Sequence, residues 1–427
     1  MFKFLLTLFT IQGLLVSATI KHITINNQEI PVIFEKQTAL PTFNLQFVFQ
    51  NSGYIQDGGK SGLCSLSSAL LNEGTKKLGS IGFANKLESK AISLSVAHGF
   101  ETFVIELSSL TNQYDSSLKL LNQLLDNPNY TQDTLDKIKT KAIGSLKRKE
   151  NDFDYTAQNQ LKTLLFEGTP LQNSSKGTIE TLQEIKLKDI EKFIQTNLTL
   201  NNLIVVVGGD VTFKEIKQDI KKIIQTLPQG EKKQLLSINA SNQSKDKVLL
   251  RQTQQAYIYF GSPFDINAHH KNVHLAKVAS FILGGSGFGS RLMEEIRVKR
   301  GLAYSAYGSV HINKSHSYFS GYLQTKLESA KEAQEIVKKE IKKFVQKGVT
   351  QDELLAAKKF LSGSEPLRTE TLSQRQNRAF HLYYKGLPLD YPKTELKKIE
   401  QITVKELNAF IKKHDEINQL SFSIVKK

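Results

Sequence analysis

The sequence predicts an α+β protein made of two copies of one unit, and three internal correspondences carry that prediction. Thr131-Gln132-Asp133-Thr134-Leu135 recurs as Thr350-Gln351-Asp352-Glu353-Leu354, an offset of 219. Gly168-Thr169-Pro170-Leu171 is answered by Gly386-Leu387-Pro388-Leu389 at an offset of 218, and IKLKDIEKFI from Ile185 by ITVKELNAFI from Ile402 at 217. An offset that drifts so little over three landmarks marks a duplication.

The elements of each unit follow from local signals. Thr131 and Thr350 read as helix caps, and Glu353, three residues on, completes a capping box in the second copy. An amphipathic helix precedes each cap, on Leu118, Leu121 and Leu125 in the first half and on Val337, Ile341, Phe344 and Val345 in the second. Each half closes on an apolar strand, 203–207 and 420–425. A unit therefore reads as strands, a helix, a β-hairpin, several helices and a closing strand. The polar segment 228–246, with little periodicity, reads as a flexible linker. Two such units joined by a linker form a clam, and ligands usually bind in the cleft between domains.

A chain of 427 residues is long enough for two domains of about 200 residues each. With 39% hydrophobic and 23% charged residues it is globular rather than disordered. The start, MFKFLLTLFTIQGLLVSA, has Lys3, an apolar run and the small residues Val16-Ser17-Ala18. That pattern predicts a signal peptide cleaved after Ala18, with an uncleaved anchor as the alternative. No later run approaches the length of a span, so no membrane span is expected after cleavage. Cys64 is the only cysteine, so no intramolecular disulfide can form, which suits a secreted protein of the bacterial periplasm.

The net charge is +16, much of it lysine on helix faces such as Lys338, Lys339, Lys342 and Lys343. This reads as a solvated surface; a basic interior that favours acidic peptides stays open. The chain has no Trp and no aromatic-basic repeat, so nucleic acid is not an expected partner.

Two longer motifs carry a family resemblance. SGLCSLSSALLNEGTKKLGS, 61–80, resembles the N-terminal signature of the pitrilysin/insulinase family of zinc peptidases with an inverted His-x-x-Glu-His motif, which includes the mitochondrial processing peptidases. LGGSGFGSRLMEEIRVKRGLAYSAYGS, 283–309, is similar to the family's C-domain signature, and Gly209-Asp210 fits as well. The resemblance implies two homologous α/β-roll domains, with antiparallel-rich sheets and helices on one face, in a clam-shell of the LuxS/processing-peptidase kind. The expected divisions are a signal peptide 1–18, a peptidase-like domain 19–227, the linker 228–246 and a second peptidase-like domain 247–427.

Active members of that family bind zinc with two imidazoles four residues apart on one helix face, while the Glu between them activates the metal-bound water. Aligned on Gly62-Leu63 and Gly74-Thr75, those positions are Ser65, Ser68 and Ala69, and a downstream ligand Glu falls near Ser145. Hydroxyls are poor zinc ligands and alanine offers none, so this chain is expected to bind no zinc or other cofactor. Ser65, Ser67 and Ser68 have no His nearby in sequence and no strand-to-helix elbow, and read as polar helix filler rather than a nucleophile. Cys64 reads as a packed core thiol. His270 and His274, with His269 beside them, lack a third ligand at a suggestive spacing and read as surface or capping residues. The glycines of 283–290 follow a helical pattern and lack Gly-Lys-Ser/Thr, which excludes a phosphate loop.

Arg297 and Tyr304 occupy positions that, by the resemblance, hold a substrate backbone and stabilise an oxyanion from across the chamber. A guanidinium offers fixed donors to a peptide carbonyl and a phenol can donate to developing negative charge. By the same resemblance, an Arg/Tyr pair without zinc ligands implies one subunit of a two-chain peptidase whose homologous partner carries the zinc. Extended peptides are the expected substrate, adding as a strand to a sheet edge at 91–96. A stand-alone peptide-binding pseudopeptidase, or a structural subunit like the family's respiratory-chain core proteins, are the alternatives.

Overall fold

The computed structural model describes residues 18–427, so the signal-peptide reading falls almost wholly outside the described residues. The first half begins with β1 (Thr19–Ile25), β2 (Gln28–Lys36) and β3 (Thr42–Gln50), then α1 (Leu63–Leu71) and α2 (Gly79–Glu88). The hairpin of β4 (Ser93–His98) and β5 (Thr102–Leu110) leads to α3 (Tyr114–Asp126), α4 (Gln132–Lys149) and α5 (Phe153–Phe166). It ends with α6 (Ile179–Glu184), α7 (Leu187–Asn197), β6 (Leu203–Gly209) and α8 (Phe213–Ile224).

The second half repeats this plan with β7 (Asp246–Leu250), β8 (Gln255–Pro263), α9 (Val273–Ser280) and the short α10 (Arg291–Met293). The hairpin of β9 (Ala303–Ile312) and β10 (Ser317–Lys326) leads to α11 (Ala330–Lys347), α12 (Gln351–Gly363) and α13 (Leu372–Tyr384). α14 (Tyr391–Gln401), α15 (Val404–Lys413) and β11 (Ser421–Lys426) close the chain. The repeated threonines act as read: Thr131 accepts the Thr134 N–H over α4, and Thr350 accepts the Glu353 N–H while Glu353 accepts its N–H in return.

The two sheets share one five-strand topology, to which the first adds β1 at its edge. The first runs β1-β2-β6-β3-β5-β4 and the second β7-β11-β8-β10-β9. In each, the closing strand lies parallel to one neighbour and the remaining pairs are antiparallel. The first core packs around Phe43, Phe47, Phe49 and Phe103, and the second around Phe260, Phe319 and Phe422, all fully buried.

Helices cover one face of each sheet, as expected, but the other face is not simply open to a chamber. The first half sends α5 across the second sheet, where Leu161, Leu165 and Phe166 pack on Tyr259 and Val425. The second half returns α13 to the first sheet, where Ala379, Phe380 and Tyr384 pack on Ile33, Val48, Ile204 and Val206. Glycines admit both crossings: a Cβ on Gly261 would lie 2.8 Å from Leu165 Cδ1, and one on Gly208 2.8 Å from Gln376 Nε2. β6 and β11 are therefore buried on both faces, which is why they read as unbroken apolar runs.

Polar bonds lock the crossings. Arg375 Nε reaches the buried Glu35 carboxylate at 2.5 Å, Tyr384 Oη donates to Asn51 at 3.2 Å, and Tyr259 Oη donates to Asp154 at 3.0 Å. The joining segment is anchored rather than loose. Asn51 Nδ2 donates to the Lys233 carbonyl, the Ile238 N–H to Ser315 and the Ser241 N–H to Leu165, each at 2.7 Å. Ile238 and Ala240 are buried, so the apolar residues of this segment contribute to the core that α5 makes. Among the described residues no helix is long and apolar enough to cross a membrane.

Candidate functional site

α1 begins at a left-handed Gly62, and Asp57 fixes its start by accepting the Gly62 and Cys64 N–H groups, both at 2.8 Å. Burial pushes the Asp57 carboxyl up to about 7, against the two backbone bonds that lower it. Cys64 is fully buried in the first core, and burial holds its thiol far above the usual range, so it is inert. Ser67 Oγ donates to the Leu63 carbonyl at 2.8 Å, the i−4 bond of a helix-interior serine.

Ser65, Ser68, Ala69 and Asn72 share one face of α1, by the i, i+3, i+4, i+7 rule. The edge strand β4 braces that face, burying Ser68 while Ser65 and Ala69 stay half-buried and Asn72 exposed. Asn72 Nδ2 donates to the Val96 carbonyl and the Val96 N–H donates to Asn72 Oδ1, each at 2.8 Å. His98 Nδ1 lies 2.8 Å from Ser68 Oγ. Ser68 Oγ donates its single proton to the Ser65 carbonyl at 2.9 Å, so His98 is the donor in the second contact. Burial lowers the His98 pKa and keeps the ring neutral at neutral pH.

The result is a brace, not a nucleophile. Ser68 is 4% exposed, its proton is spent on a backbone carbonyl, and among the described residues no carboxylate is hydrogen-bonded to His98. Nor does the donor set fit zinc: two hydroxyls, a methyl group and one imidazole already engaged. Ser145 is half-buried on α4 and supplies no carboxylate. Among the described residues no group of three or more His, Cys, Asp and Glu side chains is placed to hold a metal ion. The edge expected to receive a peptide, 91–96, is already engaged at Val96, whose outward N–H and C=O an added strand would need.

The Arg/Tyr pair lies on the other half. Arg297 is the fourth residue of the π-helical segment Glu294–Val298 that continues α10, and Tyr304 is the second residue of the edge strand β9. The guanidinium carbon sits 4.3 Å from the Tyr304 ring centroid and 4.5 Å from that of Phe288. Tyr304 is 82% exposed and Phe288 69%, so the half-buried Arg297 lies against two rings that are themselves open to solvent. Glu295 is taken by Lys299 at 2.7 Å and Arg300 at 2.6 Å, bonds that hold its carboxyl at about 2. Among the described residues Arg297 makes no ion pair, and no hydrogen bond or ion pair links it to the α1 face.

The family profile described as "Peptidase M16 inactive domain" matches residues 184–361, which include the Arg297 segment. A Helicobacter pylori protein named "Non-peptidase homolog YmxG" is 44% identical over 425 residues, covering 99% of this chain and 98% of that one. The chain belongs to the M16 peptidase family. Other M16 relatives include an "Uncharacterized zinc protease" of Rickettsia felis, 26% identical over 61% of this chain and 62% of that one. The crystal structure of a Pseudomonas fluorescens peptidase M16 inactive domain shares the fold, with a TM-score of 0.87 at 22% identity over 96% of this chain and 98% of that one. Family membership, the degenerate zinc motif and the non-peptidase homologue together make this chain a pseudopeptidase-like member of M16.

Two residues of the M16 site region were missed by sequence reasoning. His98 meets Ser68 from a strand 30 residues away, which no local pattern announces. Asn72 was on the page: it continues the 65/68/69 stripe by one turn. His270 precedes α9 and accepts the Asn272 N–H, while His274 lies buried inside that helix, so the pair does not share it and His274 is not a surface residue.

Proposed function

We propose that this M16 chain is the non-zinc, Arg/Tyr-bearing subunit of a two-chain peptidase acting on short or unfolded peptides in the bacterial periplasm. The observation that carries this reading is the half-buried Arg297 guanidinium set against the exposed rings of Phe288 and Tyr304, without an acid partner among the described residues, on a chain whose own α1 face is braced by β4. A planar cation between two rings keeps one fixed orientation and leaves its N–H edge free for a carbonyl. Such a pair has nothing to act on within its own chain, so the zinc and the attacking water would come from a homologous partner.

The experiment is hydrolysis of a quenched fluorescent peptide mixture by the mature chain, alone and with a zinc-motif homologue from the same cell. Cleavage confined to the mixture, abolished by a zinc chelator and reduced in Arg297→Ala, supports the reading. Cleavage by the partner alone at the same rate removes it. The name carried by the Helicobacter pylori relative favours a second reading, a stand-alone peptide-binding pseudopeptidase. Peptide binding by this chain alone, with no rate change in the mixture, would establish that one.

A further inference from the structure

Where α5 crosses the second sheet it leaves a cavity of about 460 Å³, within the range of small-molecule sites. One wall is a continuous arc of rings. Tyr54 packs edge-on against Phe100 with centroids 4.9 Å apart, Phe100 against His316 at 5.5 Å, His316 against Phe166 at 5.8 Å, and Phe166 against Tyr318 at 5.2 Å. The rings come from both halves, so the cavity exists only because the helix crossing brings them together.

Lys162 stands in this wall. Its ammonium donates to Tyr54 Oη at 2.7 Å and to the Asn173 carbonyl at 3.0 Å, two neutral acceptors, and it has a third N–H to give. Lys162 makes no ion pair among the described residues, and Lys176 lines the same cavity. No Asp or Glu lines it among the described residues. The nearby acids are engaged: Asp154 accepts from Tyr259, Glu101 accepts from the Ser315 N–H, and Asp57 caps α1. The neighbouring His316 is neutral, because burial lowers its pKa to about 4. A half-buried ammonium without a counter-ion is an unfavourable arrangement that an incoming anion relieves. Tyr54, by accepting from Lys162, is left with its own O–H to donate to the same anion.

We propose that this cavity is a binding site for a carboxylate carried on an aromatic or apolar body, with Lys162 and Tyr54 holding the carboxylate and the ring arc holding the body. Two sources share that chemistry, the C-terminal residue of a peptide and a free aromatic acid. The site lies apart from Arg297 and stands whether or not the two-chain reading holds.

The test is isothermal titration of the mature chain with N-acetyl-phenylalanine, its amide, and a hexapeptide ending in Phe with a free or an amidated terminus. The acids should bind roughly ten- to hundredfold more tightly than the amides, the contribution of a charge-assisted hydrogen bond. Lys162→Met, checked for an unchanged circular-dichroism spectrum, should abolish that preference, and Tyr54→Phe should reduce it. A hexapeptide tighter than N-acetyl-phenylalanine identifies a peptide terminus as the ligand; equal or weaker binding identifies a free acid. Equal binding of acid and amide by the wild type, a preference that survives in Lys162→Met, or no binding of either acid at millimolar concentration overturns the proposal. The first criterion needs no variant, so misfolding of Lys162→Met cannot shelter it.

Discussion

Asn72 holds both peptide groups of Val96, the N–H through Oδ1 and the carbonyl through Nδ2, each at 2.8 Å. One side chain thus does at the edge of the first sheet what a neighbouring strand would do. An exposed strand edge invites pairing with other chains, and covering it is a common protection.

Asn72→Ala should therefore destabilise the protein by about 1 kcal/mol, the net worth of part-buried hydrogen bonds at an exposed side chain whose loss lets water reach the Val96 groups. It should also free the edge for extended peptides, seen as strand-type hydrogen-exchange protection of β4 in the presence of peptide. Unchanged stability together with unchanged exchange at Val96 would show that water replaces the amide at no cost.

The Glu35 carboxylate is 2% exposed, and among the described residues its side chain bonds only to Arg375, with Oε2 unpartnered. Burial pushes its pKa up, and the Arg375 bond and charge oppose this. Arg375→Met should cost about 3–5 kcal/mol, because it strands a buried charge. Adding Glu35→Gln to that variant should recover part of the loss in chemical denaturation. Additive losses would show that the two residues act independently.

Phe288→Ala should leave the melting temperature nearly unchanged, since the ring is mostly exposed. In the mixture with a zinc-bearing homologue it should lower peptide hydrolysis about two- to fivefold, the equivalent of one exposed cation–π contact on Arg297. A rate equal to that of wild type would mean that Tyr304 alone orients the guanidinium.

Burial lowers the Lys162 ammonium to about 8 from the ordinary lysine value of 10.5. Between those values the unfolded chain holds a proton that the folded chain has released, so this group makes stability rise with pH across that window. The wild type minus Lys162→Met difference should climb by about 1.4 kcal/mol per pH unit there and be flat below pH 8. A flat difference throughout would place the amine in water.

The duplicated plan was legible because its signals are local: threonine caps, heptad-like apolar spacing and closing apolar strands recur in register at Thr131 and Thr350. The Ser65, Ser68 and Ala69 stripe was legible for the same reason, since it lies within two turns of α1, whereas Ser145 sits far along the chain on α4. The helix crossing was not. α5 and α13 carry ordinary amphipathic patterns, and nothing in such a pattern says whose sheet will receive it. Gly208 and Gly261 mark the crossing points, but a strand glycine alone also signals a bulge. The Ser68–His98 contact and the Lys162 cavity were hidden likewise, because both join residues that only tertiary packing brings together.

A single copy of the repeated unit would be an incomplete object, with one face of its sheet bare and a helix that has nowhere to lie. Two copies complete each other, which is the self-complementarity of a two-fold dimer. The chain is in effect such a dimer fused end to end, its tether replacing subunit concentration. Fusion also lets the two equivalent places differ: where α5 carries Lys162, the matching turn of α13, 219 residues on, carries His381. A homodimer would have to change both sites at once, whereas the fused chain can give one place a task and leave its twin as scaffold.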